Sequence, residues 1–325
     1  MKVIDLEIIK RSKSVLMGFA ILWIIAYHYQ LGRDTIFIHF TQIGNLGVDI
    51  FILLSSFSLC FSLSKDSNYI KFIKRRFLRI IPTWWFLITF LLIINYLINR
   101  NTPTDFFQHI CYYSGLGWWF YHNEPFGTYY YEWYIPTLLV FYLFAPLLYE
   151  LSKGKILTVF VISIICVYLL LFLDIDKRLS LSYLRIPTFI YGVILYKIYK
   201  KEFDINNSLK YLLVSSILNV IIFPLIVYKC YELIFLAFMF AMPVLLTWLC
   251  LILRGHLKSF LSFIGTLTLE LYLLHIYELP LIPMIKIVNN RSIAIILTTT
   301  VLIVVCFFIN YLFRTLLYSK FNQRK

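Results

Sequence analysis

Most of this chain is apolar, so its few polar side chains stand out against the runs that carry them. The stretch VLMGFAILWIIAYHYQ at 15–30 contains a single imidazole, His28, between Tyr27 and Tyr29. An ionisable group inside such a run is costly and usually faces the interior of a bundle, where it does work. Imidazole titrates closest to operating pH, which suits a general base; the alternative is a neutral ring resting beside an interfacial tyrosine. A second run, LSFIGTLTLELYLLHI at 261–276, brings Glu270, Tyr272 and His275. Glu270 and His275 lie about 140° apart around a helix, too far to face each other as a pair. His275 falls at a depth comparable to His28, so the two rings could line one cavity from different helices. Its alternative role is a structural hydrogen bond.

Carboxylates open two other runs, Asp49 in GVDIFILL and Glu132 just before Trp133. Either could orient His28 by accepting its second N–H, or hydrogen-bond a substrate hydroxyl. Asp49 could instead serve its own helix, as a negative group near an N-terminus. Arg185, opening RIPTFIYG, could pair with either carboxylate. The densest basic stretch, KFIKRRFLR, holds Lys71, Lys74, Arg75, Arg76 and Arg79. Arg76 and Arg79 share a helical face, and guanidinium forks match phosphate oxygens. An anchor on anionic lipid is the plainer reading.

Apolar elements must position these groups. Of 325 residues, 61% are hydrophobic and 14% charged, with a mean hydropathy of +0.81. A soluble domain carries about 25% charged residues, so the chain reads as an all-α integral membrane protein. Spans of about 20 apolar residues fit ten segments: 15–31, 46–64, 80–98, 133–151, 156–173, 184–199, 209–228, 233–253, 260–281 and 292–313. With both termini cytoplasmic, 22 of the 30 Lys and Arg fall on the inner side and 8 on the outer, as the positive-inside rule requires. The longest outer segment, 99–132, holds Trp118, Trp119, Tyr129, Tyr130 and Tyr131, either an interfacial belt or a surface for stacking sugar rings. One domain over 1–325 is expected, with no appended soluble domain.

Several classes drop out. The net charge of +14 lies in short loops rather than on one face, which argues against nucleic acid. The runs are too long and lack the alternation of a β-barrel. No small-residue cleavage site follows the first run, so it is a retained helix. Six scattered cysteines give neither a zinc spacing nor a disulfide framework, and no metal is expected. Phosphate-binding glycine motifs are absent.

Six blocks in order resemble the acyltransferase-3 family of membrane acyltransferases, which includes bacterial O-acetyltransferases of surface polysaccharides. They are SVLMGFAILWIIAYH, GVDIFILLSSFSL, KRRFLRIIPTWW, EWYIPTLLVFYLFAPLL, RIPTFIYG and LSFIGTLTLELYLLHI. The resemblance implies that His28 is the catalytic histidine. It also implies a cytoplasmic acyl-CoA donor, most simply acetyl-CoA, held by Arg76, Arg79 and Lys74. The acceptor would be a surface or lipid-linked glycan, met by Trp133, Arg185, Glu270, Tyr272 and His275, and the location a multi-pass cell membrane. Asp49 and Glu132 remain candidates to assist His28. Two departures stand out: Met17 occupies the family's arginine position eleven residues before the histidine, and Ser56 stands where glycine is common. Lys13 lies one turn before Met17, but its side chain leans toward the N-terminus, away from His28. A polysaccharide or lipid transporter, or a family member without activity, are the other classes these features admit.

Overall fold

The computed structural model describes residues 4–31, 38–66, 68–97, 106–120, 133–173, 177–202, 234–275, 288, 290–313 and 315. Among these residues there are helices and no strand. The expected span 209–228, Glu132 and the tyrosines 129–131 lie outside them.

In chain order the helices are α1 (Leu6–Arg11), α2 (Lys13–His28), α3 (Ile38–Gln42), α4 (Gly47–Leu63), α5 (Tyr69–Leu97), α6 (Phe106–Ser114) and α7 (Gly117–Phe120). There follow α8 (Tyr134–Leu151), α9 (Ile156–Phe172), α10 (Lys177–Tyr183), α11 (Ile186–Tyr199), α12 (Ile234–Ile252), α13 (Gly255–Thr266), α14 (Thr268–Leu274) and α15 (Arg291–Phe313).

The all-α reading of the sequence holds. Among the described residues five helical segments are long and apolar enough to cross a membrane: Gly44–Leu63, Tyr69–Ile94, Tyr134–Leu151, Leu179–Tyr199 and Arg291–Phe313. A sixth is the pair α13–α14, if one bent span is counted. The described residues do not confirm the count of ten: Lys13–His28, Ile156–Phe172 and Phe238–Ile252 are shorter apolar stretches, and 209–228 lies outside the described residues.

Two expected boundaries moved. The third span starts at Tyr69 rather than near residue 80, because the basic block is itself helical and runs unbroken into the apolar part of α5. The ninth is not one helix: it breaks at Leu267, and α13 and α14 meet at 69°. The Leu267 N–H returns to the Ile264 carbonyl, a tighter bond than the α-helical one, which ends the first half.

Burial sorts the helices into an inner and an outer set. The windows around α4 and α11 are each 78% buried, against 33% for α5 and 28% for α15. The outer helices show Phe86, Phe90, Ile93, Ile296, Val304 and Phe308 at their surfaces, as helices facing lipid do. Within hydrocarbon, apolar side chains gain little by meeting each other, so helix pairs rely on close backbone approach at small residues. The crossing of α2 and α13 is built this way. A Cβ on Gly18 would overlap the Leu261 carbonyl, and one on Gly265 the Ser14 carbonyl. Beside them the Ser14 and Ser262 hydroxyls hydrogen-bond at 2.8 Å. A similar contact seats α11 on α4, where Gly192 faces Ser56 and the Leu53 carbonyl.

Candidate functional site

Helix α2 stops because Gln30 adopts a left-handed backbone conformation, φ 53°, and the Leu31 N–H turns back to the Ala26 carbonyl. This leaves His28 on the last turn with its side chain exposed. The short helix α3 is tied over this end: the Trp23 indole N–H donates to the Phe40 carbonyl at 2.8 Å, and the Thr41 hydroxyl to Leu31 O at 2.9 Å. Between them lies a cavity of about 620 Å³ lined by Tyr27, His28, Gln30, Ile38, Thr41 and Gln42. Its lining mixes amide, hydroxyl and imidazole groups, which can exchange hydrogen bonds with a polyhydroxyl ligand.

The second histidine arrives from the broken span. His275 follows the last residue of α14 and is fully buried. Its ring lies 4.9 Å from that of His28, the planes 64° apart. Nδ1 of His275 is 2.7 Å from the Tyr272 carbonyl and 3.2 Å from that of Leu271. Tyr272 stacks at an angle on Tyr134 and packs its ring beside His275. Glu270 turns elsewhere, accepting from the Asn310 amide of α15 at 2.8 Å. The structure thus joins His28, His275 and Tyr272 and separates Glu270 from them.

Asp49 is fully buried in the first turn of α4. Its charge partner is Arg185, at 3.5 Å and equally buried. The guanidinium also lies over the rings of Phe235, at 3.8 Å, and Trp133, at 5.1 Å. Of the two carboxylates open to Arg185 in the sequence, the structure shows Asp49.

At the other end of α2 the chemistry is cationic. The basic block splits around its helix: Lys71 and Arg75 face Asp66, at 3.9 and 3.2 Å. Arg76 and the exposed Arg79 lie within electrostatic reach of Lys13 on α2 and Tyr142 on α8. Arg76 is half-buried, its guanidinium carbon 5.4 Å from the centre of the Phe72 ring. Its Nε is buried without a hydrogen-bond partner among the described residues. Lys74 is exposed, with no contact tying it to this group among the described residues. Lys13 was not expected here. Its backward lean along α2 takes it from His28, and the same lean carries it to the arginines of a neighbouring helix. Met17, one turn on, packs as a half-buried apolar residue against the core.

Converging cations with an unsatisfied buried N–H fit an anionic ligand such as a phosphate. Among the described residues no group of three His, Cys, Asp or Glu side chains gathers as a metal site would.

The acyltransferase-3 family model, described as an acyltransferase domain, matches residues 15–315 of this chain. Neither a curated protein nor a solved structure matches it. The match spans most of the chain, which therefore belongs to the acyltransferase-3 family.

Proposed function

From that membership we propose that the chain is a single-domain O-acyltransferase of the cell membrane. In this reading it moves an acetyl group from cytoplasmic acetyl-CoA to a hydroxyl of a surface or lipid-linked glycan. The observation that carries it is the pairing of a polar cavity with an exposed histidine at its wall.

Each end of α2 takes one part of the work. Arg76, Arg79 and Lys13 bind the phosphates of the donor, neutralising negative charge where three cations otherwise repel. The thioester lies at the other end, in reach of His28. The cavity holds the acceptor, with Gln30, Gln42 and Tyr27 offering hydrogen bonds to its hydroxyls. His28 takes the proton from one hydroxyl as that oxygen bonds the acyl carbon, then returns it to the departing thiolate. General-base help of this kind contributes about 10²–10⁴-fold, and the fixed approach of the two substrates adds to it. Asp49 and Arg185 assist indirectly by holding α4 against α11 beneath Trp133.

Met17 supports a second reading, a family member without ordinary turnover, because an apolar side chain fills the arginine position. Membranes supplied with labelled acetyl-CoA separate the two. The first reading requires label on glycan, lost in His28→Ala. Label only after Met17→Arg gives the second, and glycan crossing the membrane unlabelled would indicate transport.

A further inference from the structure

His275 is placed to do more than hold a helix end. Carbonyl oxygens accept hydrogen bonds and never donate them, and Nδ1 faces two, from Tyr272 and Leu271. The proton of the neutral ring therefore sits on Nδ1, and Nε2 carries the lone pair. That Nε2 is buried and has no hydrogen-bond partner among the described residues, a costly state for an acceptor.

The nearest ring is His28. A straight N–H···N bond of about 3 Å between two imidazoles sets their centres about 5 Å apart; the observed separation is 4.9 Å. The bond itself is unmade in this arrangement, and the turn that closes it falls to the His28 ring, because His275 is held by its Nδ1 contacts. Such contacts commonly tighten when substrate arrives. The two rings differ in surroundings as this requires, His275 wholly enclosed and His28 opening on the cavity.

We propose that His275 is a positioning residue for His28: its Nε2 accepts the N–H of one His28 ring nitrogen and so turns the other, with its lone pair, toward the cavity. The proposal rests on His28 acting as the base. The acceptor proton passes to that lone pair, and the resulting imidazolium keeps its original N–H on His275 until it protonates the leaving thiolate. His275 gains and loses no proton. A carboxylate usually fills this place, but Asp49 is engaged by Arg185 and Glu270 by Asn310.

Two substitutions divide the ring's functions. His275→Asn keeps a donor for the Tyr272 carbonyl and loses the acceptor at Nε2. His275→Gln keeps an acceptor near Nε2 and gives up the donor. Full-length protein in nanodiscs is assayed for transfer, and the ring nitrogens of ¹⁵N-histidine-labelled samples are read by NMR with CoA bound. We expect His275→Asn to lower kcat about 10²-fold, with KM for acetyl-CoA unchanged, and His275→Gln to keep at least a tenth of native kcat. His28 should show one tautomer in the native and Gln proteins and exchange between two in the Asn protein. A purely structural His275 predicts the reverse order, Asn near native and Gln impaired, and that order overturns the proposal. An unchanged His28 tautomer in His275→Asn also overturns it. Transfer that survives His28→Ala would instead remove the base, while the tautomer measurement still decides whether the rings are bonded.

Discussion

The two ends of α2 solve opposite electrostatic problems. At the Lys13 end three cations from two helices lie within reach of one another's charge, with one buried N–H unsatisfied among the described residues. At the His28 end two imidazoles meet, one enclosed and one open. Like charges held together gain only when an anion arrives, so the first end is suited to binding. Imidazoles meet at little electrostatic cost while uncharged and can share a proton, so the second is suited to transfer. In the proposed reaction, one helix thereby keeps recognition of the donor apart from chemistry on the acceptor.

The sharpest break in this contrast is His28→Ala. It should cut the initial rate of transfer by about 10²–10⁴-fold while labelled CoA still binds the membranes. Loss of binding along with turnover would merge the two ends into one function. Next comes the frame that holds both. Asp49→Asn takes a buried counter-charge away from Arg185 and should destabilise the protein by about 3–5 kcal/mol. Thermal unfolding in detergent reads this, and an unmoved midpoint would mean the pair is expendable. Smaller again, Arg76→Ala removes a charge-assisted contact worth about 1.5–3 kcal/mol. KM for acetyl-CoA should rise about tenfold or more with kcat nearly constant; a fall in kcat alone would place Arg76 with the chemistry. Lys13→Ala should act in the same direction and less.

The smallest effect concerns α1, which leads into the cationic end. Glu7 accepts from the Tyr199 hydroxyl at 2.7 Å and from Arg11 at 2.7 Å, the tyrosine first in holding its carboxyl below the usual 4.5. Because the folded value is the lower one, this contribution is complete above the ordinary carboxylate range and is lost as pH falls through the folded value. Amide protection along α1, relative to intrinsic exchange at each pH, should fall in acid, and Glu7→Gln should abolish that dependence. Equal acid response in the variant would assign it elsewhere.

Much of the frame was legible because apolar runs must be helices in lipid. That rule locates α4, α8, α9 and α15 closely, yet it marks where polarity ends and not where a helix does. The basic turns of α5, helical in the spacing of Arg76 and Arg79, therefore fall outside the span expected at 80–98. The break at Leu267 carries no proline, and its only trace is the small and β-branched set Gly265, Thr266 and Thr268. At the site, spacing along one helix showed that Glu270 and His275 do not face each other. It said nothing of which helices become neighbours. Hence the approach of His275 to His28 was legible only as a shared depth, and the turn of Lys13 toward Arg76 and Arg79 was missed. The α2–α13 crossing had a signal in Ser14 and Gly18, four apart and small. The glutamines of the cavity, Gln30 and Gln42, had none beyond their polarity.

Helix α2 also fixes a length. From Lys13 to His28 it rises about 22 Å at 1.5 Å per residue, without an internal break. A rod of this kind measures what lies along it. A donor with its phosphates at one end presents its acyl carbon to His28 only if its arm matches that span. A stubby activated acid such as an acyl phosphate would touch one end and leave the other empty. In the proposed reaction, discrimination among donors then comes from reach and not from the shape of any single pocket.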